Sequence, residues 1–161
     1  MKSGTTSVGR AQHSEPTFTL YGRVAAGMLG RIGRPYDSLH ISLVIDDAYT
    51  GITVIDGQPT MVEAGLRNAM RIRTNVYVNA LPAKPVFKIP LNPPVGMSRN
   101  EFAQELLKRA ASFSSYVAPY SLPRDLIGKT MKEGEYNSSS YLAALLRSVM
   151  GYVPDIRSPG Y

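Results

Sequence analysis

The chain of 161 residues has no cysteine, no tryptophan and only two histidines. Without cysteine there can be no disulfide, no zinc–thiolate site and no thiol nucleophile in the chain as written. Two histidines among scattered carboxylates give no metal-ligand spacing, so neither a metal nor another cofactor is expected. The longest apolar runs fall far short of a membrane span, and residues 1–16, polar and small, lack the apolar stretch of a classical signal peptide. Gly22, Gly27, Gly30 and Gly33 do not form a phosphate-cradling loop after a strand. These absences lead us to expect a soluble protein without a transmembrane segment, either cytoplasmic or carried out of the cell by a dedicated secretion system.

What is present is an ordinary globular composition, 43% hydrophobic and 19% charged, in a chain long enough for one domain with a core that needs no staples. The formal net charge is +6. A basic surface of this kind either serves solubility alone or faces an anionic partner such as a cell-wall polymer, a lipid surface or an acidic inhibitor or immunity-type protein. The cations are scattered, from Arg23 through Arg71, Arg73 and Lys108 to Arg157, with no dense run and no aromatic-interleaved stripe, which gives nucleic-acid binding little support.

Along the chain, residues 1–16 read as a loose N-terminal tail and 17–161 as one domain. Tyr21, Val24, Ala25 and Met28 recur at helical spacing and suggest a first helical element over Thr17–Leu29, weakened by Gly27 and by Gly30 just beyond. Ser38–Asp46 (SLHISLVID) and Gly51–Asp56 (GITVID) alternate, are rich in β-branched residues and are separated by turn chemistry; they predict a hairpin. On its first strand Leu39, Ile41, Leu43 and Ile45 share one face, with His40, Ser42 and Val44 on the other. Arg71–Ala80 and Pro85–Ile89 read as a third and a fourth strand, and Leu91–Val95 as a proline-rich connection. Ser98 and Glu101 form a capping box for a helix with a stripe of Phe102, Leu106, Ala110 and Phe113. After an irregular stretch over 114–135, a last helix begins near Asn137–Ser139, buries Tyr141, Leu142, Leu145, Leu146 and Val149, and ends at Gly151 as its C′ residue. The expected class is α+β, an antiparallel sheet of about four strands packed against helices.

Three features could carry chemistry. His40 on the first hairpin strand is either a packed core residue or a general base held rigidly on a sheet. Asn137, Ser138, Ser139 and Ser140 are good helix N-cap residues. The same place puts a hydroxyl beside free backbone N–H groups and the positive end of a helix dipole, which are donors for an oxyanion. Such a nucleophile needs a base within reach, and His40 is the one histidine outside the tail. Ser138 and Ser140 point roughly 200° apart around a helix, so only one of them can face His40. Asp56, or Gln58 just beyond it, is placed to orient the imidazole across the hairpin; the alternative for Asp56 is a strand-end turn residue, the role expected of Asp46 and Asp47.

In element order, and in the segment YNSSSYLAALLRSVMGYVPDIRSPGY over 136–161, the chain resembles the circularly permuted papain-like hydrolases, the superfamily of permuted cell-wall amidases and lecithin retinol acyltransferases. The segment is similar to the Asn-Ser-Asn-Ser-Phe motif, helix and Pro-Gly-aromatic tail of bacterial papain-like toxin and effector domains. The resemblance implies a permuted papain-like fold with Ser138 at the nucleophile position, His40 as base and Asp56 (or Gln58) as orienter. It implies a hydrolase or acyltransferase of amide or ester bonds, of the kind delivered as antibacterial effectors against peptidoglycan or lipid. The departure is the nucleophile, serine here and cysteine in the family. A thiol is partly ionised at neutral pH, whereas a hydroxyl needs general-base help. Serine as the natural nucleophile, a degenerate site and an inactivating replacement of cysteine all stay open, as do a non-catalytic binding module on the same fold and a basic nucleic-acid-binding domain.

Overall fold

The computed structural model describes residues 14–24, 39–64, 67–82, 85–114, 118–119 and 138–154. Strands β1 (Thr17–Val24), β2 (Leu39–Asp47), β3 (Gly51–Ala64), β4 (Arg67–Val78) and β5 (Phe87–Leu91) are followed by helix α1 (Arg99–Ser114), the two-residue strand β6 (Ala118–Pro119) and helix α2 (Ser138–Met150). The strands form one open antiparallel sheet in the order β5-β1-β2-β3-β4-β6. The class is α+β as expected, with five full strands and a short sixth in place of about four. The tail over 1–13, most of the stretch over 114–135 and the end of the chain over 155–161 lie outside the described residues.

The extra strand is β1, and it corrects the helical expectation for Thr17–Leu29. TFTLYGRV alternates: Phe18 and Leu20 are buried while Thr17 and Thr19 are not. A period of two, with Thr, Phe and Tyr as β-formers, wins over the looser 3.6 spacing once partners exist on both sides. Those partners are β2, with Arg23 opposite His40, and β5, with Phe18 opposite Leu91. Residues 25–29 of the expected helix lie outside the described residues.

The hairpin forms as expected. Asp47 Oδ1 accepts from the N–H groups of Tyr49 at 2.7 Å and Thr50 at 3.0 Å, and Gly51 takes a φ of 78° that a side chain would resist. β3 then runs on past Asp56 through Gly57 and Pro59 to Ala64, making a long ribbon with β4. The β2–β3 ladder, by contrast, stops at Leu43 opposite Ile55. Beyond that point β3 has no backbone partner on its β2 side among the described residues, and a proline at position 59 is tolerated. β4 begins four residues before the expected Arg71. β5 is shifted toward Leu91, and its Pro90 sits on an edge strand where a missing N–H does little harm.

Both helices pack on one face of the sheet. Ser98 Oγ accepts from the Glu101 N–H at 3.2 Å and Glu101 Oε2 accepts from the Ser98 N–H at 2.8 Å, which is the capping box read from the sequence. Phe102, Leu106 and Ala110 of α1 and Tyr141, Leu142, Leu145 and Leu146 of α2 are buried against Phe18, Leu20, Leu43, Ile55 and Ile72. Edge-to-face rings join sheet to helix, Phe18 to Phe102 at 4.7 Å, and helix to helix, Phe113 to Tyr141 at 4.6 Å. Gly151, with a φ of 77°, closes α2 through its N–H to the Arg147 carbonyl at 2.9 Å. Among the described residues no helix is long and apolar enough to cross a membrane.

The Tyr141 ring lies directly on Gly57. A Cβ built on Gly57 would come within 2.9 Å of Tyr141 Cδ1 and 3.0 Å of its Cβ and Cγ. Tyr141 is 1% exposed and cannot swing away. Gly57→Ala is therefore expected to lower unfolding free energy by about 1–3 kcal/mol, the usual cost of overpacking, read as a lower urea midpoint at unchanged slope.

Candidate active site

Because side chains alternate along a strand, β3 shows Ile55 and Gly57 to the helices and turns Val54, Asp56 and Gln58 to the opposite face. On that face Val44, Val54, Ser42 and Asp56 are all buried. Asp56 is 0% exposed, and a buried carboxylate is stable only when donors satisfy it. The two neighbouring strands supply them. His40 Nε2 of β2 lies 3.0 Å from Asp56 Oδ2, Ser42 Oγ donates to the same oxygen at 3.4 Å, and Asn75 Nδ2 of β4 donates to Oδ1 at 3.2 Å. These bonds lie just past Leu43–Ile55, where the β2–β3 backbone ladder has ended. Side chains thus hold together the seam that the backbone leaves open.

The geometry decides between the two candidate orienters. Asp56 holds the imidazole; Gln58, half-buried two residues on, does not appear in the network. Asp56 is an interior residue of β3 and not a strand-end turn residue, a role that belongs to Asp47. The imidazole is nearly enclosed, its side chain 11% exposed. With Nε2–H donated to the carboxylate, the tautomer this network assigns, Nδ1 carries the free lone pair and can take a proton.

Sequence reasoning did not find Asn75 or Tyr77. Both lie in the alternating run RIRTNVYVN, and it is the β3–β4 register, Asn75 opposite Asp56, that gives Asn75 its role. Tyr77 sits against Ser42 and Asp56; burial raises its phenol pKa above the ordinary value, and the Asp56 charge adds to the rise. On the helix side Tyr141 accepts a hydrogen bond from Thr74 Oγ1 at 2.7 Å, and burial pushes its pKa up to about 12.

Tyr141 fixes where α2 begins relative to the dyad. Ser138 opens the helix less than one turn before Tyr141, whose ring rests on Gly57, the residue next to Asp56. Ser139 and Ser140 follow in the first turn, half-buried. Asn137 and the Ser138 side chain lie outside the described residues. α2 meets the β3–β4 ribbon from the Gly57–Thr74 side, and the dyad lies on the Asp56–Asn75 side. The helix that carries the serine cluster and the His40–Asp56 pair thus sit on opposite faces of the ribbon. Among the described residues no group of three or more His, Asp or Glu is gathered to hold a metal ion.

No protein-family model matches this chain, no curated protein matches it, and no solved structure matches it.

The Tyr141 environment has a definite pH signature. A folded-state pKa near 12 against an ordinary value of 10.0 means that the unfolded chain ionises first. The contribution is fully present below pH 10 and is lost as pH rises through 12. Tyr141→Phe is expected to lower stability at pH 7 by about 1 kcal/mol through the lost Thr74 bond. Denaturation midpoints measured from pH 9 upward should fall less steeply in the variant than in the parent.

Proposed function

We propose that the protein is a hydrolase or acyltransferase of amide or ester bonds, with Ser138 as nucleophile, His40 as general base and Asp56 as the residue that orients it. The observation that carries this reading is the His40–Asp56 bond of 3.0 Å, with Asp56 fully buried and held by Ser42 and Asn75. A structural histidine can be satisfied by any acceptor. A buried carboxylate fixed from both sides does more: it selects one tautomer, directs the ring and stabilises the imidazolium that forms when the base takes a proton.

Ser138 is one of a cluster of hydroxyls at a helix start, and Tyr141 holds that helix against Gly57, the chain neighbour of Asp56. His40 Nδ1 takes the Ser138 proton as Oγ attacks the carbonyl carbon. The positive end of the α2 dipole, at the start of the helix, favours the charge that develops on the carbonyl oxygen. The imidazolium returns the proton to the leaving group, and water or an acceptor alcohol then repeats the cycle on the acyl-enzyme. The resemblance to permuted papain-like enzymes, in which a strand-borne histidine, an orienter on the next strand and a helix N-terminal nucleophile follow in that order, as His40, Asp56 and Ser138 do here, supports the same assignment. It also suggests delivery as an antibacterial effector met by an acidic immunity protein.

Two measurements test it. With a chromogenic ester, Ser138→Ala and His40→Ala should each lower kcat by about 1,000-fold or more, and Asp56→Asn by about 100- to 10,000-fold, while Ser140→Ala stays close to the parent. Independently, a thiol at position 138 reads the electrostatics directly. Ser138→Cys should react with iodoacetamide at pH 7 several-fold faster than free cysteine, and adding His40→Ala should remove the advantage. Equal labelling with and without His40 would sink the pairing.

A further inference from the structure

Arg23 on β1 is the register partner of His40 on β2. Directly opposed residues on an antiparallel pair hold their Cβ atoms about 5 Å apart on one face. Arg23 and His40 therefore leave neighbouring strands on the same face of the sheet. The Arg23 charge bears on the Tyr77 phenol, opposing the rise that burial and Asp56 produce, and this places it on the Ser42–Asp56–Tyr77 side of the sheet. Arg23 is half-buried, and among the described residues no carboxylate forms an ion pair with it. Asp56, the nearest buried acid, gives its oxygens to His40, Ser42 and Asn75. Two residues earlier on the same face, Tyr21 stands between Ser42 on β2 and Lys88 on β5, and the Lys88 ammonium sits 5.1 Å from the Tyr21 ring centre.

A half-buried guanidinium with no carboxylate partner among the described residues, next to a base, is suited to an anion brought from outside. Its planar fork binds a carboxylate or phosphate through two parallel hydrogen bonds. We propose that Arg23 grips an anionic group of the substrate close to the bond that is cleaved, so that the protein selects acyl compounds carrying a carboxylate or phosphate. This rests on His40 being the base of the proposed reaction. Lys88, exposed on the next strand, adds a longer-range attraction that salt screens.

The experiment compares a neutral ester, 4-nitrophenyl acetate, with an anionic one, the mono-4-nitrophenyl ester of glutaric acid. The parent should favour the anionic ester in kcat/KM. Arg23→Ala should cut that preference at least tenfold, mainly through KM for the anionic ester, and Arg23→Lys should restore part of it. An unchanged preference in Arg23→Ala overturns the proposal. A second arm needs no turnover: succinate and inorganic phosphate are titrated separately into the Ser138→Ala protein, and the His40 ring-proton shifts are followed by NMR. Saturation by either anion that is lost with Arg23→Ala upholds the subsite even if neither ester is hydrolysed, and shows which anion it prefers. Absence of any Arg23-dependent shift overturns it. Hydrolysis failing while anion binding survives counts against the proposed reaction and not against the subsite.

Discussion

A carboxylate with no exposed surface, deep in the middle of a sheet, sets the terms for everything around it. Asp56 cannot keep a charge there without donors, and the donors must come from its two neighbouring strands. His40 and Ser42 come from one side and Asn75 from the other. The requirement fixes the relative positions of β2, β3 and β4 just where the β2–β3 ladder lapses. It also explains why a histidine flanked by Leu39 and Ile41 points where it does. Orientation of the imidazole and cohesion of the sheet are one interaction seen from two sides.

Helix α2 is located by a complementary device. The absence of a side chain at Gly57 lets the Tyr141 ring lie against the ribbon, and the Thr74 hydroxyl satisfies the phenol that would otherwise be stranded in the core. A large buried ring with its polar end bonded fixes both the depth and the rotation of the helix. The first turn of α2 is thereby set on the helix-facing side of the ribbon, next to Gly57. Two tyrosines flank the Asp56 carboxylate, Tyr141 on the helix side and Tyr77 on the other. Burial holds both of them more firmly protonated than usual.

Much of this was legible in the residues. The hairpin, the capping box at Ser98, the buried stripes of both helices and the Gly151 stop are local signals with local causes, and they came out where the pattern placed them. Asp56 could be matched to His40 because a hairpin of known register brings two strands side by side. The failures share a different cause. β1 was read as a helix because TFTLYGRV becomes a strand only with β2 and β5 beside it. β3 was cut short at Asp56 because Gly57 and Pro59 look like punctuation, although one accommodates Tyr141 and the other lies where β2 has left. Asn75 and Tyr77 escaped because their roles depend on a pairing between β3 and β4 that no single segment encodes.

The lapse of the β2–β3 ladder beyond Leu43 and Ile55 has a bearing on how this sheet can vary. Elsewhere strands are joined by amide and carbonyl groups that every residue possesses, so identity matters only through size and polarity. At the seam the joint is written in side chains, and it exists only for particular residues. Positions 40, 42 and 56 are thus the part of the sheet whose very continuity depends on spelling. Drift among lineages that the rest of the sheet would absorb would here pull neighbouring strands apart and take the orientation of the imidazole with it.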